Sequence, residues 1–283
     1  MTEVERALAA LVAGDPVAAR SALSDAPADS ALARGLADFL GAQRAPGVYD
    51  EPTAFEAFID HGANPELYRR TIEVLAAVHA DVRPDAVADI GCGDGRVTAA
   101  VLDRATTRVD LVEPSIALLR HAVDAVARPG AEVVAHPIGA SDLAAEVDAD
   151  QRWDVVQSTY AMHTIPPADR PALFEWLAGR CDRLLIVEFD VPALDDRSPA
   201  HIAYLAERYE AGVREYLDHP EAIDGFLMPV LVGQLQPAAA RHTFEQPIAE
   251  WEARLRDAGF RTTTRPVFDY WWAPAVLIDA RPS

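Results

Sequence analysis

The densest chemical signal is the run Asp89-Ile90-Gly91-Cys92-Gly93-Asp94-Gly95-Arg96, which follows a short apolar stretch and opens a segment of helical pattern. Glycines let a chain turn tightly and bring backbone N–H groups close to a ligand. The spacing is G-x-G-x-G, not the G-x-G-x-x-G of dinucleotide sites. Pyrophosphate is best met by a helix N-terminus, but here Asp89 and Asp94 flank the loop. Those carboxylates repel a pyrophosphate and suit a ligand that carries an ammonium and a sulfonium. The next apolar run ends Asp110-Leu111-Val112-Glu113-Pro114-Ser115. An acid at a strand end there, here Glu113, can accept both hydroxyls of a ribose.

A second group follows the fourth apolar run, in Tyr160-Ala161-Met162-His163-Thr164-Ile165. A histidine titrates near neutral pH, so His163 is the candidate general base. Tyr160 is read as a substrate contact. Glu188 and Asp190 close the fifth run and, two apart in a strand, share a face. Glu188 is read as a substrate contact and Asp190 as a helix cap. Tyr270-Trp271-Trp272 lie between the last two runs, and Trp271 is read as part of a flat apolar substrate wall, with packing against an inserted cap as an alternative compatible with it.

The elements that must position these residues alternate. Strands are expected over 86–90, 108–113, 132–136, 153–158 and 183–189, with helices over 96–104, 115–127 and 167–180. This is the rhythm of a doubly wound parallel sheet. A helix over 248–258 and two strands, 261–268 and 275–280, finish the chain. Carboxyl ends of strands face the ligand crevice in such sheets, which puts Glu113, Tyr160, His163 and Glu188 on one edge. Residues 1 to about 80 read as helices, with breaks at Gly14-Asp15-Pro16 and near Pro46-Gly47 and a helix start at Pro65. Residues 191 to 259 join the fifth strand to the sixth, far more chain than the roughly 20 to 30 residues a crossover needs. The expected organisation is a helical extension or lid over 1–80 and a catalytic domain over 81–283, with a cap inserted at about 191–245.

The glycine loop, the strand-end acid and the strand order together resemble the class I S-adenosylmethionine-dependent methyltransferases of small-molecule type. The resemblance covers about residues 86 to 190 well and the last two strands loosely. It implies an α/β fold, a doubly wound seven-stranded Rossmann-like sheet whose last strand is antiparallel and slots between the fifth and sixth. It implies S-adenosyl-L-methionine as cofactor. Asp89, Gly91, Cys92 and Gly93 would contact its methionine portion, Glu113 and Pro114 its ribose, and Asp142-Leu143 its adenine. The fourth strand, through Ser158, would run beside it. The implied reaction is methyl transfer to O, N or C of a small, aromatic or apolar metabolite.

Composition narrows the field. The chain has 283 residues, a net charge of -20 and no lysine, all 25 basic residues being arginine. A Walker lysine, a Schiff-base lysine and the lysine of short-chain dehydrogenases are therefore missing. The acidity disfavours nucleic acid. No apolar run reaches the ~18 residues of a membrane span, and the first residues lack a signal-peptide layout, so a cytoplasmic enzyme of secondary metabolism with a small-molecule substrate is expected. Two cysteines build neither a disulfide framework nor a zinc site, and no metal is expected. The N-terminal helices offer a surface for a homodimer. The alternatives are a nicotinamide-dependent oxidoreductase, which wants a third glycine one residue later, and a non-catalytic cofactor-binding regulator.

Overall fold

A computed structural model describes residues 1–42, 52–148, 150–238 and 241–283, so the break expected at Pro46-Gly47 lies outside the described residues. The chain divides into two compact units.

The larger unit, Leu67–Val191 with Phe244–Asp269 and Ala273–Ser283, holds a seven-stranded sheet. Its strands are β1 (Ala86–Ile90), β2 (Arg108–Val112), β3 (Glu132–His136), β4 (Trp153–Thr159), β5 (Cys181–Phe189), β6 (Phe260–Asp269) and β7 (Pro274–Pro282). The order is β3-β2-β1-β4-β5-β7-β6. The first five run parallel and β7 is antiparallel to both β5 and β6, the arrangement expected from the sequence. Central strands are covered on both faces, so their sequences are nearly continuous apolar runs. One face buries Ile90, Val112, Val156 and Ile186 beneath Phe174, Trp251 and Leu143. The other buries Val87, Val155, Leu185 and Leu277 beneath Leu75 and Val78.

Those last two residues lie on the helix Asn64–Val82. The helix's apolar stripe is buried on the sheet, and from Leu67 onward it is a layer of the sheet unit.

The smaller unit gathers Met1–Glu66, Pro192–Thr243 and Tyr270–Trp272. Its first helices are sharply capped. Thr2 and Glu5 form a reciprocal capping box before Glu3–Val12, and Asp15 caps Pro16–Ser24 with proline at the first turn. Ala31–Gly41 is capped by Ser30 and again by Glu210 of Pro199–Glu215, whose carboxylate takes the Ala31 and Leu32 N–H groups. The inserted segment expected as a cap is thus built together with the N-terminal helices. Trp271 belongs here too, with its ring on Gly212, where a Cβ would come within 2.7 Å of it. The aromatic run packs against the expected cap, with Tyr209 edge-on to both Trp271 and Trp272.

Candidate active site

The loop after β1 is built on left-handed glycines. Gly91, Gly93 and Gly95 have φ of 73°, 56° and 78°, a region that L side chains rarely adopt. Two of the three are fixed by close neighbours. A methyl group on Gly91 would collide with the Cβ of Ala161, and one on Gly95 would sit 2.6 Å from the Ala122 Cα. Gly93 differs, because a Cβ there meets no atom within 4 Å. Its conformation keeps backbone bare in front of open space, the cradle a close-fitting ligand requires.

Glu113 follows β2 and grips that loop. One carboxylate oxygen accepts the Gly93 N–H at 3.2 Å and the other the Ser115 N–H at 2.9 Å. Burial raises its pKa above 4.5 despite those two hydrogen bonds. A carboxylate has about four lone-pair positions, so both oxygens retain capacity for hydroxyl donors. Pro114 is exposed beside it.

Asp89 is wholly buried under the loop. One oxygen accepts from Thr98 Oγ1 and, at 3.0 Å, from Gln157 Nε2, while Oδ1 has no partner among the described residues. Desolvation is the largest influence and lifts its pKa to about 6, against the two hydrogen bonds. Gln157 stands opposite Asp89 in the β1–β4 register and also meets His79 Nε2 at 3.0 Å. Burial lowers the His79 pKa, so this imidazole is neutral and donates to the Gln157 amide oxygen. Gln157, Thr98 and His79 were not singled out from sequence. The signal that could have found Gln157 is a polar residue inside an apolar strand, next to an equally anomalous Asp89.

The other expected cofactor residues separate. Ser158 is buried and donates to the Ile90 carbonyl at 2.8 Å, tying β4 to the end of β1. Cys92 turns inward against Leu111, Leu119 and Ala122, and burial raises its thiol pKa. Leu143 is fully buried, its side chain packed in the core with Ile90 and Val112. Asp142 is exposed at the N-cap of the short helix Leu143–Glu146, yet its side chain makes no capping hydrogen bond.

Past β4 the chain makes a forced turn. Tyr160 sits at φ 52°, unfavourable for a bulky residue. It places Ala161 against Gly91 and starts the single turn Met162–Thr164. The Tyr160 hydroxyl meets Thr71 Oγ1 at 2.7 Å, and Thr71 donates onward to the Leu67 carbonyl, so the tyrosine is the donor. Its ring stacks on Phe189 at 4.8 Å and meets Tyr68 edge-on.

His163 and Glu188 form a buried pair. Glu188 Oε2 lies 2.8 Å from His163 Nδ1, and Oε1 accepts the His163 backbone N–H at 3.0 Å. A carboxylate only accepts, so Nδ1 carries the proton and Nε2 holds the lone pair. Nε2 takes no part in either contact with Glu188. Burial pulls the imidazole pKa down, but the charge and hydrogen bond of Glu188, with Glu245, carry it above 6.5. Glu188 was expected to touch substrate. It is 1% exposed with both oxygens spent on His163, so it orients the imidazole instead. Asp190, two residues on and just past β5, accepts the Ile248 N–H at 2.9 Å at the start of the helix Ile248–Asp257, the capping role expected for it.

Sequence reasoning missed Arg170 altogether. It is fully buried and donates to the carbonyls of Ile165 and Phe244 and to Gln246 Oε1. Nothing in the local pattern marks it, since it reads as an ordinary charge in the first turn of a helix. Among the described residues no cluster of three or more His, Cys, Asp or Glu could hold a metal ion, and no helix is long and apolar enough to cross a membrane.

Comparison with known proteins agrees with this geometry. Residues 87–181 match the family model described as a methyltransferase domain. No curated protein matches the chain. Among solved structures, magnesium protoporphyrin IX methyltransferase from Synechocystis with bound S-adenosylmethionine superposes with a TM-score of 0.52 at 13% identity, covering 83% of this chain and 93% of that one. The same protein with bound S-adenosylhomocysteine gives 0.51 at 17% identity, covering 77% and 84%. An O-methyltransferase family protein from Burkholderia thailandensis gives 0.52 at 20% identity, covering 77% of this chain and 57% of its own. At such identities the likeness is one of fold.

Proposed function

We propose that this chain, whose residues 87–181 match a methyltransferase domain, is an S-adenosylmethionine-dependent methyltransferase of the class I fold that methylates an O, N or C atom of a small aromatic or apolar metabolite with His163 as general base. The observation that carries the assignment of the base is the His163–Glu188 pair: a carboxylate sets the tautomer and leaves Nε2 to accept a proton.

Residues present fit the cofactor. Open space before Gly93, the carboxylate of Glu113 and the unpartnered Oδ1 of Asp89 are the features that would receive it. When bound, S-adenosylmethionine supplies a methyl group on a positively charged sulfur, open to in-line displacement. Glu113 and the glycine loop bind and orient, and Asp89 adds negative charge. His163 takes the acceptor's proton, which makes an oxygen or nitrogen nucleophile competent, while Glu188 stabilises the imidazolium. Tyr160 and Phe189 offer stacked aromatic surface nearby in sequence and on the same sheet edge, which supports a flat apolar acceptor. The charge of -20 supports a metabolite over a nucleic acid. Two free, buried cysteines suit a reducing, cytoplasmic setting.

The test is methyl transfer from labelled S-adenosylmethionine to a panel of phenols, amines and activated ring carbons. Wild type should methylate members of the panel, and His163→Ala should lose turnover while S-adenosylhomocysteine still binds. Equal turnover by the variant would remove His163 from the mechanism.

A further inference from the structure

Arg170 is a whole charge in a dry place. The guanidinium has no exposed surface, and it lies 4.3 Å over the Trp251 ring. Such burial is costly unless every donor is met and an opposite charge is near. Nε donates to Ile165 O at 2.9 Å and Nη1 to Gln246 Oε1 at 2.8 Å. Nη2 donates to Phe244 O at 2.6 Å and, more weakly, to His163 O at 3.4 Å. Phe244 returns its N–H to the same His163 carbonyl at 2.7 Å. The turn that carries His163 is thereby clamped on its carbonyl side by Arg170 and the 244–246 segment. Glu188 clamps its amide and its ring. Nε2 takes no part in these contacts.

The charges are arranged as deliberately as the bonds. Groups facing His163 are Glu188 from β5, Glu245 from the segment after residue 243, and Arg170 from the helix Arg170–Ala178. Arg170 in turn feels Glu188, Glu245 and Glu250 against Arg254. A lone carboxylate beside a buried imidazole favours imidazolium, and an imidazolium accepts nothing. A fixed cation on the far side of the turn opposes that.

We infer that Arg170 is a positioning residue for the His163–Glu188 pair, holding the main chain of His163 in place and, as a countercharge to Glu188, opposing protonation of Nε2. This rests on the reading of His163 as base. Burial pushes the guanidinium down only to about 10, so it remains a cation throughout the working range.

The test needs neither cofactor nor substrate, so it can fail independently of that reading. The His163 imidazole is titrated by NMR in histidine-labelled protein, with its signal identified by its loss in His163→Gln. In Arg170→Gln the midpoint should rise by up to about one unit, the low end of what an adjacent charge exerts. Arg170→Lys keeps the charge but cannot span the four acceptors. Its midpoint should stay within about 0.2 units of wild type, while the Nδ1–H resonance broadens and the Phe244 amide exchanges faster. If methyl transfer is in hand, kcat should fall in both variants with KM for cofactor unchanged. A folded Arg170→Gln with the wild-type midpoint overturns the charge role. Should that variant not fold, Arg170→Lys decides, because a wild-type Nδ1–H signal and wild-type Phe244 exchange there would reduce Arg170 to a core filler.

Discussion

Replacing Glu113 tests the cofactor site most directly, because its carboxylate has two jobs that the structure separates. It anchors the loop through the Gly93 N–H at 3.2 Å and starts the next helix through the Ser115 N–H at 2.9 Å. Its remaining lone pairs are those that two ribose hydroxyls would use. Hydrogen bonds to a charged group contribute about 1.5–3 kcal/mol, so Glu113→Ala should weaken S-adenosylhomocysteine binding roughly 10- to 150-fold. Losing the Gly93 anchor acts in the same direction, since the loop must then be ordered on binding. Glu113→Gln keeps an acceptor but turns an amide N–H₂ toward a backbone donor, so it should fall between wild type and alanine. Calorimetric titration at neutral pH measures each constant, with thermal unfolding as the check on folding. A folded Glu113→Ala that binds within about twofold of wild type, a difference of about 0.4 kcal/mol, refutes the assignment.

The same carboxylate predicts a pH dependence. Burial raises its pKa above 4.5, so protonation begins at a higher pH than for a free glutamate. The protonated acid cannot accept from both hydroxyls. Affinity should therefore fall as pH drops through the raised value, and Glu113→Gln should flatten that acid limb.

Gly93→Val should abolish binding while the fold survives, since only ligand space and a φ of 56° stand in its way; Gly95→Ala, facing the Ala122 backbone at 2.6 Å, should instead lower thermal stability. His163→Ala should cut turnover by roughly 10²–10⁴-fold with cofactor affinity nearly intact, and the wild-type rate should fall as pH drops through an imidazole pKa lying above 6.5. Asp110→Asn should cost roughly 1–3 kcal/mol in denaturant unfolding, because a fully buried carboxylate accepts from Trp153 at 2.8 Å, His136 at 2.9 Å and Arg108 at 2.8 Å. Burial alone would raise the Asp110 pKa, but those three bonds and the Arg108 charge hold it below 3.8; its stabilisation is present above that value and is lost as pH falls through the depressed one.

Reading the strands from sequence works here because the sheet is buried on both faces. Apolar runs such as Val109 to Val112 and Leu184 to Val187 have no other use, and their ends are punctuated by Gly91, Glu113 and Asp190. The unit boundary was not legible in the same way. Helical periodicity over 64–82 shows that one face is buried but not which surface buries it, and the sheet claims it through Leu75 and Val78. Side-chain roles divide along the same line. A residue's position at a strand end follows from the pattern, so Glu113 and His163 could be found. Whether a side chain looks outward or down into the core does not, so a strand-end pattern cannot show that Leu143 and Glu188 are buried. Arg170 was invisible because its partners are mostly backbone carbonyls, which carry no residue identity.

The strand order explains why the binding and acid–base groups divide as they do. Chain direction across the sheet reverses between β1 and β4, with β2 and β3 on one side and β5 on the other. At such a reversal the connections leave to opposite faces and a crevice opens beyond the strand ends. Groups assigned to the cofactor come from β1 and β2, at Asp89, Gly93 and Glu113. Groups assigned to the proton come from β4 and β5, at His163 and Glu188. Tyr160 and Gly91 are the seam: the strained φ of the tyrosine brings Ala161 against a glycine that has no room for a side chain. The two halves are therefore held in fixed register by packing, not by a flexible linker. A change at the seam should disturb cofactor affinity and turnover together, whereas Glu113 should move affinity first and His163 turnover alone. Gly91→Ala, in a variant shown to be folded, is the perturbation that separates these cases. If it lowered turnover with affinity untouched, the seam would belong to the proton-transfer half only, and the division at β1 and β4 would not be functional.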